Sequence, residues 1–467
     1  MNGDQFRMND MMRQRWSARR TASLHSGMKA AKSYDQLRKL PVIKTMQHAS
    51  TAEPLLPTME SLPSVHAPKN PTVEVLKSIF LSKICVLLVC VPFGFASGIL
   101  GCGDAYTFWL NFFSLIPLAK ILGDATEELA ACLKNDMLSG MLNATFGNAV
   151  EMIMTIALLK KREFTVIKST LLGSILSNML LVLGMSFFVG GVTRRRTDAG
   201  DQVVLEVAES GKQQKFGKLG ALVSTSLLLV SCLCLCLVTI FDHVASISDA
   251  DEVVPSANYT CVTMKVSRAC AMLIISSYVA YIVFQLCTHR QVIADEEDQD
   301  DEDEEHVGLS FAWSLGLLCA CTLVVSIGSE FLTDSLEGAL ASAHIGKQFV
   351  GIILLPIVGN ACEHVAAIRF AALDKVSLSV GIAVGSSVQI ALFVTPFSVL
   401  MGWAMGDTAS GHNMDLNFGG LNVAVITLSV FILLSNVVDG KANWLEGYML
   451  CVAYAIIAVL YWYLPGA

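Results

Sequence analysis

The sequence predicts an all-α polytopic membrane protein with about eleven transmembrane helices. Of its 467 residues, 54% are hydrophobic and only 15% are charged. Several uncharged stretches contain about 20 residues or more, which is enough to cross a hydrocarbon core of about 30 Å as a helix. These stretches are 219–241, 269–288, 376–406, 416–438 and 447–467. Helices are favoured because backbone groups in lipid must be hydrogen-bonded within their own segment, and because the alternating pattern of a barrel is missing.

Eleven spans result when apolar segments interrupted by one or a few polar residues are added. They lie near 80–100, 106–126, 140–159, 165–190, 219–241, 267–287, 309–330, 346–369, 377–402, 418–437 and 446–464. The chain then divides into a tail (1–77), a first transmembrane helix (78–103), a first repeat with spans 2 to 6 (104–290), an acidic linker (291–308) and a second repeat with spans 7 to 11 (309–467).

The tail, residues 1–77, is expected to be disordered and cytosolic. It has no apolar run and carries twelve Lys and Arg against six Asp and Glu. A basic excess favours the cytosolic side of a membrane. The tail also lacks the apolar core of a signal peptide, so the first apolar segment is expected to be a signal anchor or an ordinary first span.

The loops between the spans alternate in charge as this orientation requires, with one exception. The basic run 194–196 follows span 4 on the predicted cytosolic side. The loop after span 5 is acidic and contains a glycosylation sequon at Asn258, which is usable only on the luminal side. The basic run 160–162 follows span 3 and would be luminal, against the positive-inside rule.

The acidic linker contains the run 295–305, in which ten of eleven residues are Asp or Glu. Without this run the formal net charge changes from −8 to about +2, so the acidic balance belongs to one loop. Two interpretations stay open: a solvated connection between two membrane halves, or a collector that raises the cation concentration beside a pore mouth. An EF-hand is excluded because the glycine and the alternating ligands are missing.

The fourteen cysteines predict neither a disulfide framework nor a metal centre. Nearly all of them lie in apolar spans, where a thiol packs as a small hydrophobic group. We expect no cofactor and no nucleic-acid partner. The expected partners are the lipid bilayer, divalent cations and protons, and the sequence leaves the oligomeric state open.

An internal repeat relates the two halves of the chain. The segment GNAVEMIM at 147–154 matches GNACEHVA at 359–366, and the same offset of 212 residues aligns Gly173 with Gly385. The two copies begin on opposite sides of the membrane and therefore form an inverted repeat. Inverted repeats with a substrate site at their interface are the recurring plan of secondary transporters.

Glu151 and Glu363 occupy equivalent positions of this repeat, and each lies inside an apolar run. Acids within a membrane are costly and mark functional sites. Two carboxylates neutralise one divalent ion, and hard oxygen ligands select Ca²⁺, Mg²⁺ or Mn²⁺. Backbone carbonyls and six side chains could complete the site: Asn148, Asn360, Ser174, Ser177, Ser386 and Gln389. Hydrogen bonding between helices explains these polar side chains equally well.

The same pair of carboxylates predicts coupling to protons. In a low-dielectric site two nearby carboxylates disfavour joint ionisation, so the empty pair is expected to bind protons, whereas Ca²⁺ requires the ionised pair. His364 follows Glu363, but Met152 stands at the equivalent position of the first copy. His364 is therefore outside the symmetric ligand set, and a packing or hydrogen-bonding role explains it as well as a role in transport.

Over residues 75–465 the chain resembles the Ca²⁺/H⁺ antiporters of the CAX family, vacuolar-type transporters with eleven spans. The resemblance rests on LNATFGNAVEMI (142–153), LLGSILSNMLLVLG (171–184), FLTDSLEGA (331–339), LLPIVGNACEHVAAI (354–368), VGSSVQIALFVTPF (384–397) and DGKANWLEG (439–447). It implies exchange of cytosolic Ca²⁺, or Mn²⁺, for H⁺ from an acidic compartment. It also implies that Glu151 and Glu363 are the exchange carboxylates and that His364 belongs to the proton path.

The segment TEELA (126–130) resembles a family segment whose acid, here Glu127, is assigned to the proton or cation path. Glu128 departs from the family pattern, in which glutamine is more usual at this position. The repeat partner of Glu127 would be Asp334 or Glu337, for which a helix-capping or interface role is as good an explanation.

The family also has regulatory N-terminal tails. In this tail RRTASLH (19–25) contains Ser23 as a candidate phosphorylation site, although such basic matches are common by chance in disordered tails.

Two other function classes remain open from the residues. A Na⁺-driven Ca²⁺ exchanger would follow the same repeat logic, but its glutamates are typically preceded by proline, and here Val150 and Cys362 precede them. An intramembrane metal-dependent hydrolase could use Glu363 and His364, but it needs further ligands, and no His-Glu-x-x-His motif occurs. The expected function is therefore transport and not catalysis.

Overall fold

The computed structural model describes residues 71–133, 136–197, 203–207, 211–250, 257–289, 308–406 and 413–464. The tail as far as residue 70 with Ser23, and the acidic run 295–305, lie outside these ranges, so the predictions made for them stay predictions. The elements described below all belong to one unit of the chain, residues 68–467.

The described residues are mainly helical, and the predicted helical class is confirmed. The α-helices are α1 (Pro71–Phe80), α2 (Cys90–Leu100), α3 (Asp104–Cys132), α4 (Asp136–Phe146), α5 (Ala149–Lys161), α6 (Phe164–Leu176), α7 (Leu183–Val192), α8 (Lys218–Ala250), α9 (Ala257–Val283), α10 (Phe311–Asp334), α11 (Leu336–Ala343), α12 (Lys347–Phe349), α13 (Leu355–Gly359), α14 (Ala361–Ala372), α15 (Val376–Gln389), α16 (Thr395–Met405), α17 (Gly420–Val437) and α18 (Trp444–Tyr463). A 3-10 helix, Lys83–Val89, precedes α2, and π-helical turns occupy Ser177–Val182, Phe284–Thr288, Val350–Leu354 and Ile390–Val394.

Within the described part of the chain, nine helical stretches are long and apolar enough to cross a membrane. They are Lys83–Leu100, Asp104–Cys132, Phe164–Val192, Lys218–Val244, Val262–Thr288, Phe311–Asp334, Val376–Met405, Gly420–Val437 and Trp444–Tyr463. Each coincides with a predicted span. A tenth results if α11 and Lys347–Gly359, which are bent by 115° relative to each other, count as one broken span. The two predicted spans that do not pass as single helices are 140–159 and 346–369.

Both of these spans are broken at the repeated motif. Asn148 separates α4 from α5 with φ −105° and ψ 28°, and Asn360 separates α13 from α14 with φ −90° and ψ 15°. Each carbonyl then accepts the first hydrogen bond of the following helix, from the amide of Met152 at 3.1 Å and from that of His364 at 3.0 Å. A Gly-Asn pair has low helix propensity, so the sequence that defines the repeat also causes the break.

Small residues bring α6 against the π-helical turn Val350–Leu354. A Cβ atom on Gly173 would collide with the main chain of Ile352, and one on Gly351 would collide with the side chain of Ser169. Close approach of helices at small residues is typical of membrane proteins. This contact lies in the half of span 4 that is nearer to its predicted luminal end.

Two short antiparallel sheets were not predicted. Strand β1 (Thr193–Thr197) pairs with β2 (Val203–Val207), and β3 (Gln214–Lys215) pairs with β4 (Lys441–Ala442). The second strand reads VVLEV, and β-branched residues favour strands. The basic run 194–196, which is predicted to lie on the cytosolic side after span 4, forms the centre of β1.

The structure gives a physical reason for the basic run that disagreed with the predicted orientation. Lys160 lies 3.7 Å from Glu330, and Lys161 lies 2.6 Å from Asp334. Both acids lie in α10, at the end of the bundle where span 3 ends. Their negative charge offsets the two lysines locally.

Candidate cation site

The two glutamates of the repeat meet the partner motif across the bundle. Glu151 lies in the first turn of α5 and Glu363 in the first turn of α14. Glu151 is only 2% exposed. A Cβ atom on Gly359 would collide with its Oε1, so the first-repeat carboxylate lies directly against the break of the second repeat. The absence of a side chain at Gly359 provides the space for it.

The two asparagines at the breaks are held by the opposite repeat. Asn148 donates from Nδ2 to Oε1 of Gln389 at 2.6 Å. Asn360 donates from Nδ2 to the backbone carbonyl of Ser174 at 3.2 Å. Because a carbonyl can only accept, this contact fixes which amide atom of Asn360 faces Ser174. In both residues the amide nitrogen is used for cross-linking, and Oδ1 points elsewhere.

Six oxygens of predicted site residues are buried without a hydrogen-bond donor among the described residues. They are Oε1 and Oε2 of Glu151, Oε2 of Glu363, Oδ1 of Asn148, Oδ1 of Asn360 and Oγ of Ser174. Buried acceptors are normally paired, and leaving one unpaired costs about 1–3 kcal/mol. Carboxylate and amide oxygens are also the ligands that hard divalent cations prefer. The arrangement is therefore suited to holding a cation.

Glu363 differs from Glu151 because it faces open space. It is only partly buried and lines a cavity of about 170 Å³ together with Glu127, Asn143 and Gly147. Glu127 also lines a second cavity of about 550 Å³, which we call the acidic vestibule. Glu127 thus lines both cavities and lies between the vestibule and the second glutamate.

The acidic vestibule lies at the end of the bundle where span 2 ends. It is formed by α1, the end of α3 and the end of α14, and its charged residues are Lys83, Lys120, Asp124, Glu127, Glu128 and Arg369. Lys120 and Asp124 form an ion pair. Glu128 accepts hydrogen bonds from the backbone amides of Gly308 at 3.3 Å and Leu309 at 3.0 Å. The acidic linker therefore ends beside this vestibule.

His364 is tied to the second break and not to a symmetric partner. Its Nδ1 lies 2.7 Å from the backbone carbonyl of Asn360, and its Nε2 lies 3.4 Å from Oγ of Ser177. The carbonyl can only accept, so Nδ1 carries the hydrogen, and in a neutral ring Nε2 then accepts from the hydroxyl. His364 thereby links Ser177 of the first repeat to Asn360.

The remaining predicted residues are Ser386, Asp334, Glu337 and Asn258. Ser386 is buried in α15, one turn before Gln389. Asp334 pairs with Lys161, and Glu337 pairs with Lys347 at 2.6 Å. Neither acid lines the cavity of Glu363 or the acidic vestibule. Asn258 is the second residue of α9.

Sequence reasoning missed several residues that line the two cavities. Asn143 precedes Gly147 by four residues, and both residues line the cavity of Glu363. Asp124 precedes Glu127 by three residues, a spacing that puts both acids on one face of α3. That spacing was readable in the sequence, whereas the role of Gly359 as space for Glu151 depends on the packing of the two repeats.

Within the described residues no group of three or more His, Cys, Asp and Glu side chains is arranged to hold a metal. The candidate site therefore consists of two carboxylates with neutral oxygens. This donor set differs from the clustered imidazoles, thiolates and carboxylates of a catalytic zinc centre.

Comparison with known proteins identifies relatives over most of the chain. The family model described as "Sodium/calcium exchanger protein" matches residues 104–287 and 313–463. The chain is 36% identical to "Vacuolar cation/proton exchanger 1a" of Oryza sativa subsp. japonica, over 85% of this chain and 83% of the relative. It is 34% identical to "Vacuolar calcium ion transporter" of Schizosaccharomyces pombe, over 84% of this chain and 88% of that protein.

Solved structures with the same fold include two described by their chemistry. The structure called "Structure of native YfkE" has a TM-score of 0.61 and 28% identity, covering 81% of this chain and all of the other. The selenium-substituted form, named "Ca2+/H+ antiporter protein YfkE", has a TM-score of 0.59, 27% identity and coverage of 81% and 99%. The "H+/Ca2+ Exchanger CAX" is similar in fold, with a TM-score of 0.57, 12% identity and coverage of 84% and 92%.

Proposed function

Because this chain belongs to the sodium/calcium exchanger protein family, we propose that it is a secondary transporter that exchanges cytosolic Ca²⁺ for luminal H⁺ across the vacuolar membrane. Relatives named vacuolar cation/proton exchangers and a vacuolar calcium ion transporter support this substrate and this membrane. The apolar helices fit an integral membrane protein. Mn²⁺ and other divalent cations are further candidate substrates, and the chain is a transporter and not an enzyme.

The observation that carries the proposal is the set of six buried oxygens without donors. A divalent cation bound among these oxygens would provide the positive charge that no described hydrogen-bond donor provides. Glu151 and Glu363 are the proposed charged ligands. Asn148, Asn360 and Ser174 are the proposed neutral ligands, and Ser177, Ser386 and Gln389 support them from α15 and the π-helical turn after α6.

Charge balance couples the cation to protons. Two ionised carboxylates without a counterion would leave two uncompensated charges in a low-dielectric site, which is strongly unfavourable. The site is therefore stable either with Ca²⁺ and both carboxylates ionised, or with protons on the carboxylates. Ca²⁺ and protons therefore exclude each other at the carboxylates. Exchange at one site then needs no separate proton channel through the protein.

The proton gradient of an acidic compartment is large enough to drive this exchange. One pH unit is worth about 1.4 kcal/mol per proton, so two protons moving down ~2 units supply roughly 5–6 kcal/mol. This corresponds to about a 10⁴-fold Ca²⁺ gradient before any voltage term.

We propose that the site is reached from one side. Glu363 is reached through its cavity and the acidic vestibule, both at the predicted cytosolic end. At the other end the main chain of Ile352 lies against Gly173. We propose that the structure corresponds to the state that receives Ca²⁺ from the cytosol, with the N-terminus on the same side.

Acids at the two ends are the proposed approaches to the site. Glu127 would pass cations from the vestibule to Glu363. The run 295–305 would raise the cation concentration nearby, because the linker ends where Gly308 meets Glu128. Asp334 and Glu337 would act in the proton path at the luminal end. His364 would position Asn360 and accept a proton from within the site.

The Na⁺-driven alternative predicts a different dependence on ions. Val150 and Cys362 stand before the two glutamates, where proline is typical of Na⁺-driven exchangers. The hydrolase alternative is disfavoured because no group of three or more His, Cys, Asp and Glu side chains among the described residues is arranged to hold a metal ion.

The test is Ca²⁺ uptake into liposomes that contain the purified full-length protein. Acid-loaded vesicles are compared with vesicles in which nigericin and K⁺ have collapsed the pH gradient. We expect uptake only with the gradient and no change on replacing Na⁺ by choline. Uptake that survives nigericin, or that appears only with a Na⁺ gradient, would reject proton antiport.

A further inference from the structure

The two ends of the bundle differ in one contact between the halves of the inverted repeat. At the predicted luminal end, a Cβ atom on Gly173 would collide with the main chain of Ile352, and one on Gly351 would collide with the side chain of Ser169. We call this contact between α6 and the π-helical turn Val350–Leu354 the luminal seam. Its small residues bring the two segments together, as is typical of helices packed within a membrane.

The repeat offset of 212 residues maps the four residues of the luminal seam onto four residues at the predicted cytosolic end. The equivalents of Gly173, Ile352, Ser169 and Gly351 are, in this order, Gly385, Gly140, Gly381 and Ser139. All four equivalents are glycine or serine, and they lie in α15 and α4. Because small residues permit the close approach of helices, the sequence allows the same kind of contact between α15 and α4.

In the structure this second contact is not made. A Cβ atom added to Gly381 or to Gly385 would meet no described atom of another element within 4 Å. Both glycines instead line a cavity of about 120 Å³ between α8, α9 and α15. Helix α15 is therefore open at the positions where its equivalent in the first repeat, α6, is closed.

The π-helical turn Phe284–Thr288, at the end of span 6, contacts both sides of this opening. A Cβ atom on Gly140 would lie 2.8 Å from Cδ2 of Leu286, so this leucine covers the small-residue face of α4. Phe284 and Gln285 line the same cavity as the two glycines of α15. Packed interfaces have discrete arrangements and do not deform continuously, so α4 can reach α15 only if Leu286 leaves Gly140.

We infer that the cytosolic side closes when the small-residue face of α4 packs against Gly381 and Gly385 of α15, in a contact that mirrors the luminal seam, while the luminal seam opens. The inference rests on the proposed function and adds the contact that closes this side. Transporters with inverted repeats expose one site to the two sides in turn. Asn143 of α4 and Ile382 of α15 both line the cavity of Glu363, so the approach of the two helices would close this cavity.

The first test joins the two surfaces by a disulfide. Ser139→Cys and Gly381→Cys are combined in the full-length protein, which is purified in detergent with saturating Ca²⁺ and oxidised with copper phenanthroline. Mass spectrometry quantifies the cross-linked peptide and distinguishes it from products of the native cysteines. The control combines Ser139→Cys with Ser379→Cys, because Ser379 lies on another face of α15, where its Oγ donates to the carbonyl of Ala367 at 2.7 Å. We expect a cross-link only in the first pair, since a disulfide requires Cβ atoms about 3.5–4.5 Å apart.

The second test places the same substitution at two equivalent positions of the repeat. The methyl group of Gly173→Ala collides in the present state, whereas that of Gly385→Ala has room here and would collide only in the closed state. Both glycines lie inside helices, so the effect of alanine on helix propensity is matched. In the background of the first cysteine pair, we expect Gly385→Ala to slow cross-linking about tenfold and Gly173→Ala to accelerate it about tenfold, which is the effect of overpacking one of two states. Gly316→Ala should change nothing, because Gly316 is exposed in α10 with open space around it.

Equal cross-linking of the two cysteine pairs, including none in either, would overturn the inference, as would the same change in rate from both alanine substitutions. So would a cross-linked protein that still exchanges Ca²⁺ for H⁺ in liposomes, because the cross-link should stop exchange until dithiothreitol reduces it. If an alanine variant is not inserted, the two cysteine pairs decide alone. Failure of the wild type to exchange Ca²⁺ for H⁺ would instead reject the proposed function, and the cross-link would still report whether α4 reaches α15.

Discussion

Replacing the two glutamates one at a time should have unequal effects, because the structure surrounds them differently. Glu151→Gln and Glu363→Gln preserve the shape of the side chain and remove one of the two charges that balance a divalent ion. Glu151 is 2% exposed and both of its oxygens lack donors in the described structure. Glu363 lines a cavity that water can enter, so solvent can compensate part of its loss.

Removal of one partner from a buried ion pair costs about 3–5 kcal/mol. We expect the upper part of this range for Glu151→Gln, about a 10³- to 10⁴-fold loss of Ca²⁺ affinity, and the lower part, about 10²-fold, for Glu363→Gln. Both variants should abolish transport at micromolar Ca²⁺ while the protein remains inserted.

The assay combines equilibrium binding of radioactive Ca²⁺ in detergent with uptake into liposomes. Glu330→Gln is the control, since Glu330 is an exposed acid whose contact with Lys160 is worth at most about 1 kcal/mol. Near-normal uptake by either glutamate variant would refute the paired-carboxylate site. A larger affinity loss for Glu363→Gln than for Glu151→Gln would refute the reasoning from burial.

Three further predictions concern the surroundings of the site. Gly359→Ala should abolish uptake, because the added methyl group would occupy the position of Oε1 of Glu151, whereas Gly316→Ala should not; normal uptake by Gly359→Ala would mean that Glu151 need not lie there. Glu127→Gln should raise the Ca²⁺ concentration needed for half-maximal uptake with little change in the maximal rate, and a lost maximal rate at unchanged half-saturation would place Glu127 in the proton path instead. Deletion of 295–305 should leave exchange intact and change at most its apparent affinity, so that complete loss in a well-expressed deletion would make the acidic run part of the translocation site.

The two glutamates proposed as ligands could be selected from the sequence because the motif that contains them is repeated. The Gly-Asn-Ala-x-Glu motif occurs twice in apolar surroundings, and the cost of an intramembrane acid identifies Glu151 and Glu363 without a structure. In the structure both helices are broken within this motif, at Asn148 and Asn360.

The orientation of the ligands was not predictable. Asn148 directs its nitrogen to Gln389, which is 241 residues away along the chain, and only the packing of the two repeats brings these residues together. For the same reason the sequence could not reveal that Glu127 lines two cavities. The hairpin of β1 and β2 was missed because the basic run 194–196 is also typical of a cytosolic loop.

The central claim is that one pair of carboxylates holds either a divalent cation or protons. The most direct measurement is the number of protons released when Ca²⁺ binds to the purified protein in detergent, where no gradient exists, followed with a pH indicator in weakly buffered solution. The account predicts release of up to one proton per carboxylate in acidic medium, declining as the pH rises and the empty pair loses its protons, and no release from a variant in which Glu151 and Glu363 are both Gln. Ca²⁺ binding of normal affinity without proton release at any pH would contradict it.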